Sequence, residues 1–212
     1  TPRPPALRVR PAGGLEVEFA CCQLEAIRQM KQSGVPAEFA DVFHRGVRVI
    51  LDKDNWLPDP GLLASAWKPP TPPSEAEFLQ LTSDFWYHTV WTAKHLRRGE
   101  LWWGKGCCDG HLKELLRRML EWHARAVQGA GYDTWLRGRF LEEWADPRAV
   151  QALPKAFAHY QAEDIWRALS ATMDLFRWVS QETAQKLGFP YPQEGVEYAS
   201  QLVNRFAKNT EN

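Results

Sequence analysis

The sequence contains no apolar run approaching the roughly 20 residues needed to cross a bilayer, so no membrane partner is expected. It has no charge of either sign in excess, because 26 Lys plus Arg balance 26 Asp plus Glu for a formal net charge of +0. That balance offers no overall electrostatic attraction to nucleic acid or to an anionic surface, and a charged ligand must be recognised locally. Cysteine is scarce, four residues in two adjacent pairs, Cys21-Cys22 and Cys107-Cys108. Adjacent pairs match neither a zinc spacing nor a redox C-x-x-C motif, so the expectation is reduced, mostly buried thiols and a cytoplasmic location. No signal-peptide pattern, internal repeat or low-complexity tract is present. The chain starts at Thr1, and its opening TPRPPA reads as a connector or a cut rather than a domain start.

What is abundant is core-forming material: 44% hydrophobic residues, with eleven tryptophans. Most of these rings are expected in the core, with a minority facing a ligand, since aromatic faces stack on flat rings and attract cations. The most informative stretch is EAEFLQLTSDFWYHTVWTAKHLRRGE, Glu75 to Glu100. Phe78, Leu81, Phe85, Thr92 and Leu96 recur at helical steps, and Trp86, Val90 and Ala93 widen that stripe, which predicts a long helix with one buried side. Ser74 with Glu77 three residues on reads as its capping box. The same spacing aligns Gln80, Asp84, Tyr87, Trp91 and Lys94 on another side, an acid and a base roughly 15 Å apart along the axis with aromatic rings between them. Such a row can hold a cationic molecule at one end and an anionic one at the other.

Upstream, Ala6 to Arg10 and Leu15 to Phe19 alternate about Pro11-Ala12-Gly13-Gly14 and predict a β-hairpin, with Leu15, Val17 and Phe19 on one face and Glu16 and Glu18 on the other. Gln23 to Ser33 predicts a helix stopped at Gly34. Val47 to Leu51, β-branched in composition, predicts a short strand ending in Asp52-Lys53-Asp54. Prolines then accumulate, and residues 58–73 read as a stiff linker. Beyond it the pattern is helical: Asp109 to Gln128, short pieces around Trp135 to Trp144 and Pro147 to Leu153, Glu163 to Leu187, and Glu194 to Ala207. The fold class expected is α+β, mostly α, with a partial α/β domain over 1–57 and a helical bundle over 74–212. One hairpin, one helix and one strand are too little for a self-sufficient sheet layer, so either further upstream residues belong to the first part or it leans on the bundle.

GLEVEF, ILDKD, E-F followed by D-F-W within Glu77 to Trp86, Ala93-Lys94, MLEWH at Met119 to His123, IWRAL with LFR at Ile165 to Arg177, and FPYP at Phe189 to Pro192 stand in an order and spacing that resembles the aminoglycoside 6-adenylyltransferases, the streptomycin-modifying branch of the polymerase-β-like nucleotidyltransferases. The resemblance runs from about Gly14 to Phe206. It implies transfer of AMP from ATP to a hydroxyl of an aminoglycoside, with carboxylates holding Mg²⁺ against the triphosphate. In that family a Gly-Ser turn followed by an Asp-x-Asp strand supplies two carboxylates and a neighbouring strand a third. This sequence has no Gly-Ser followed by Asp-x-Asp, but it has the neighbouring strand, with Glu16 where the family usually carries Asp.

The resemblance makes Glu16 the candidate general base or metal ligand; the competing reading is a solvated acid on an exposed strand face. Lys94 matches the family's helix lysine and would act as a point charge on the nucleotide phosphates; otherwise it is a surface lysine. Asp84, with Tyr87 and Trp91, is the candidate site for the cationic substrate; otherwise it is a mid-helix surface acid. A carboxylate of the first segment and a lysine of the bundle are expected to converge on one cleft. Asp52-Lys53-Asp54 reads as a turn, and His123 as a core histidine. His88 and His95 lie seven apart with no third ligand in sight. The rival readings are a non-catalytic module that binds nucleotide or a cationic ligand, and a helical interaction domain whose tryptophans mediate self-association; the sequence specifies no oligomeric state.

Overall fold

The structure is a computed structural model that describes residues 6–57, 59–65 and 68–208; Thr1 to Pro5 of the opening segment and Pro58, Ala66 and Trp67 of the expected linker lie outside the described residues. Two units divide the chain, Thr1–Lys68 and Pro69–Asn212.

The first unit begins with β1 (Ala6–Val9) and β2 (Val17–Ala20), paired antiparallel with Leu7 opposite Phe19, Arg8 opposite Glu18 and Val9 opposite Val17. That register puts the apolar residues on one face and the charged ones on the other, as the alternation requires. Leu7, Leu15 and Phe19 are nonetheless 56–64% exposed, which is what a two-stranded sheet without a covering layer must accept. Three helices follow, α1 (Leu24–Ser33), α2 (Ala37–His44) and α3 (Pro60–Ser65). Gly34, at φ 86°, closes α1, donating its N–H to the Met30 carbonyl. Residues 47–51 form no strand: no partner strand lies beside them among the described residues, and β-branched composition without a ladder does not make one. Asp52 takes up backbone amides instead, Oδ1 from Trp56 at 3.0 Å and Oδ2 from Leu57 at 2.9 Å. Those donors hold its carboxyl below the usual range, and ILDKD is a turn, as expected. Cys21 and Cys22 are exposed and only Cys107 and Cys108 are buried, so the expectation of mostly buried thiols holds for one pair.

The second unit is a helical bundle. Its first helix, α4 (Glu75–Arg97), starts at Ser74, whose Oγ accepts the Glu77 amide while Glu77 Oε2 accepts the Ser74 amide at 2.8 Å. Both halves of the capping box are made, and the N-terminal donors of the helix are satisfied. Phe78, Leu81, Phe85, Trp86, Thr92, Ala93 and Leu96 are buried, the stripe read from spacing, with each large side chain contributing about 1.5–3 kcal/mol by leaving water. After Gly99, α5 (Leu101–Gly106) runs through a π-helical turn (Cys107–His111) into α6 (Leu112–Gln128). The expected start at Asp109 misplaced this element because GKGCCDG is rich in glycine, a poor helix former, and packing of the two buried cysteines overrides that propensity.

The remaining elements are α7 (Leu141–Trp144), α8 (Pro147–Ala156), α9 (Ala162–Leu187) and α10 (Gln193–Lys208). Helix α9 packs against α4, α6 and α8, and α10 lies along α4. At the centre Phe85 and Phe176 stack, with the Trp86 ring edge-on to both. Arg177 on α9 lies over the Trp86 ring and donates to Ser200 Oγ on α10 at 2.7 Å, and Tyr191 hydroxyl meets Ser180 Oγ at 3.1 Å. The LFR and FPYP residues thus hold α10 against the α4–α9 pair.

Candidate functional site

Along the α4–α10 seam the two helices part to leave a cavity of about 480 Å³. From α4 it is lined mainly by Trp86, Tyr87, Val90, Trp91 and Lys94, with Thr82 and Ser83 at one end, and from α10 by residues that include Tyr198 and Leu202. Tyr87 and Tyr198 are largely exposed, so the walls are aromatic and aliphatic while the mouth is open to solvent. Lys94 is exposed and has no ion-pair partner among the described residues, leaving its ammonium available to an anion at the rim. The Trp91 ring lies against His95, 3.7 Å between centroids, and 6.0 Å from Trp103, which steadies it in place. His95 is in turn hydrogen-bonded to Glu100, and Arg98, with His95, draws the Glu100 carboxyl down to about 2.

Asp84 does not line that cavity. Its Oδ1 lies 2.8 Å from His88 Nδ1, one turn along α4, and its Oδ2 lies 3.5 Å from His111 Nε2, on the π-helical turn. The imidazoles of His88 and His111 approach edge to face at 4.2 Å. The row read from sequence is therefore split: Tyr87, Trp91 and Lys94 share the groove, and Asp84 belongs to a separate cluster. At about 100° per residue, Asp84 is roughly 60° from Tyr87 and about 20° from Trp91, which puts it at the edge of the groove-facing arc, where its carboxylate is turned away to His88 and His111. Of this cluster the sequence reading dismissed His88 for want of a third ligand and did not consider His111. The signal available was the Asp84/His88 spacing of four, which puts both on one helix face; the contribution of His111 required knowing how the π turn lies on α4.

Glu16 stands just before β2, with its side chain three-quarters exposed and Oε1 2.5 Å from Arg10 Nη2. Glu18 is held likewise by Arg8 at 3.0 Å. Mg²⁺ requires several oxygen ligands in octahedral array. On this hairpin each carboxylate is engaged by a guanidinium, so Glu16 would have to release Arg10 before it could hold a metal ion.

Two other polar clusters are structural in character. Lys113 donates to the Cys108 carbonyl and to Thr172 Oγ1, each at 2.8 Å, tying α6 to α9, and burial pulls its ammonium below the usual lysine range. Burial pushes the Cys108 thiol up to about 11, so it is unreactive near neutrality. His123 is 2% exposed, in the core as expected, but neither ring nitrogen has a hydrogen-bond partner among the described residues; Nε2 lies 3.4 Å from Glu182 Oε2.

Residues 12–206 match the family described as streptomycin adenylyltransferase. The chain is 24% identical over 161 residues to the aminoglycoside 6-adenylyltransferase of Campylobacter jejuni, covering 74% of this chain and 56% of that protein. It is 26% identical over 159 residues to the protein of the same name from Bacillus subtilis (strain 168), covering 71% and 54%. The chain thus spans about half the length of the curated relatives it matches. The crystal structure of an aminoglycoside 6-adenyltransferase from Bacillus subtilis superposes with a TM-score of 0.55 at 21% identity over 65% of this chain and 52% of that one, which establishes a shared fold.

Proposed function

We propose a function on one premise, that this chain belongs to the streptomycin adenylyltransferase family, matched over residues 12–206. The protein transfers AMP from ATP to a hydroxyl of an aminoglycoside such as streptomycin, with pyrophosphate leaving. The observation that carries the reading is the α4–α10 groove, where Trp86, Tyr87, Trp91 and Tyr198 line one cavity with Lys94, which has no ion-pair partner among the described residues.

In this reading Trp91 and Tyr87 contact a flat or cationic ring through their faces, and Lys94 at the rim is a point charge on the triphosphate. The groove suits an amphipathic ligand with an anionic end, which favours the nucleotide there. Asp84 supplies negative charge on the neighbouring side of α4, where a cationic aminoglycoside would be drawn. Glu16 is the carboxylate we assign as general base. As a metal ligand it would first have to release Arg10, so Mg²⁺ enters this reading only with the nucleotide, as part of the co-substrate. The balanced net charge supports small-molecule partners over nucleic acid, and the four free cysteines support a cytoplasmic location. No helix among the described residues is long and apolar enough to cross a membrane.

A second reading, a non-catalytic module that binds nucleotide or a cationic ligand, is favoured by the Arg10–Glu16 ion pair and by the lack of Gly-Ser followed by Asp-x-Asp in the sequence. Pyrophosphate release with ATP, Mg²⁺ and streptomycin, on this chain and on Glu16→Gln, separates the two. Turnover lost in the variant supports the enzyme; ATP binding without turnover in either protein supports the module. Equal turnover in both would remove Glu16 from the mechanism.

A further inference from the structure

We propose that Asp84, His88 and His111 form a binding site for a divalent transition metal of the Zn²⁺ type, clamping α4 to the π-helical turn. The inference does not rest on adenylyl transfer, but it competes with the role given there to Asp84, whose negative charge a bound divalent ion would consume.

Each residue offers one ligand atom, and the three atoms all lie within 4.8 Å of one another. A tetrahedral ion with ligands at about 2.0–2.2 Å needs its donors roughly 3.4 Å apart. Asp84 Oδ2 and His111 Nε2, 3.5 Å apart, already stand at that spacing; His88 Nδ1 lies 2.8 Å from Asp84 Oδ1 and 2.9 Å from the Asp84 carbonyl oxygen, and has to give up both contacts to turn its lone pair to the ion. Asp84 and His88 are four apart on α4, so both project from one face, the same relation that puts two histidines of a helical zinc motif on one ion. His111 is delivered by the π turn, an irregularity that recurs at functional sites because it re-aims a side chain against the regular helical register.

The donor set selects the metal. Two imidazoles and one carboxylate suit Zn²⁺, Co²⁺, Fe²⁺, Ni²⁺ or Cu²⁺, whereas Mg²⁺ requires oxygen ligands. The site is therefore chemically distinct from that of a nucleotide-bound magnesium. Its three side chains are 28–42% exposed, so an ion can enter and the fourth position faces water. One carboxylate charge against a divalent ion leaves a net positive centre able to accept an anionic or neutral oxygen there.

The test is titration of the full 212-residue chain with Co²⁺, followed by visible absorption, and with Zn²⁺ by calorimetry. Both are done in a Cys21→Ser/Cys22→Ser background, because those exposed free thiols would compete for the ion. The expected result is one tight equivalent, no sulfur-to-cobalt charge transfer, insensitivity to excess Mg²⁺, and affinity lower by about 10²-fold or more in His111→Ala and in His88→Gln. His111 is partly exposed, so its variant should keep the wild-type circular dichroism; His88→Gln provides the second measurement if it does not. His159→Ala, whose imidazole is 90% exposed elsewhere, should bind as the parent does. Absence of a stoichiometric equivalent, or an affinity unchanged in both histidine variants, would overturn the assignment.

Discussion

The rings of Phe85 on α4 and Phe176 on α9 lie parallel, 4° between planes and 3.6 Å between centroids, and both are fully buried. This is the closest aromatic junction among the described residues, and it fixes the helix that carries the groove to the helix that centres the bundle. Phe176→Ala should destabilise the protein by about 3–5 kcal/mol, the range for deleting a buried aromatic that leaves a cavity. Phe176→Leu should cost less than half of that. Urea unfolding followed by tryptophan fluorescence reads both, and midpoints equal to the parent's in both variants would show that the stack contributes little.

A second junction depends on a missing side chain. A Cβ at Gly104 of α5 would collide with the side chain of Leu96, which is 2% exposed and cannot withdraw into solvent. Gly104 is thus what lets α5 approach the end of α4. Although alanine is the better helix former, Gly104→Ala should destabilise by about 1–3 kcal/mol through overpacking. A double variant with Leu96→Ala should recover part of the loss, and a melting temperature raised by Gly104→Ala alone would refute the collision.

The start of α9 gives a pH signature. Asp164 accepts from the Arg167 guanidinium and from the His159 amide, each at 2.6 Å, and these donors hold its carboxyl well below its ordinary value of 3.8. A carboxyl lowered in the folded state stabilises above its unfolded value and loses that contribution as pH falls through the folded one. Asp164→Asn should therefore melt below the parent at pH 7, with the gap closing progressively below about pH 3.8. A gap independent of pH would mean that the ion pair is not its source.

The groove makes a binding prediction. If Lys94 meets phosphate, Lys94→Ala should weaken ATP about 5- to 10-fold, the size of one charge-assisted contact worth ~1–1.4 kcal/mol, and the loss should shrink at high salt. Trp91→Ala should weaken ATP and adenosine alike, because stacking does not involve phosphate. Calorimetry with both ligands distinguishes the two, and a Lys94 variant impaired for adenosine would place the lysine against the base instead.

Much of this molecule follows from local pattern. The buried stripe of α4, its Ser74/Glu77 cap, the stop of α1 at Gly34 and the charged and apolar faces of the hairpin are set by residue spacing and by backbone groups that must be satisfied close by, so they can be read along the chain. The order of short motifs, GLEVEF through FPYP, carries the family for the same reason. Where pattern and partner diverge, pattern fails. Residues 47–51 have strand composition and no strand beside them, and the glycines of GKGCCDG lie within helix because Cys107 and Cys108 are buried there.

The site shows the division most sharply. Sequence alone determined that α4 presents an acid, two aromatic rings and a lysine outside its core stripe, because a helix of known pitch fixes their heights. Only the tertiary structure decided what each one meets: α10 came to lie beside Tyr87, Trp91 and Lys94, while the π turn brought His111 to Asp84 and His88. Packing between distant segments is chosen by the summed fit of whole faces, and no single residue in α4 encodes which neighbour will cover it.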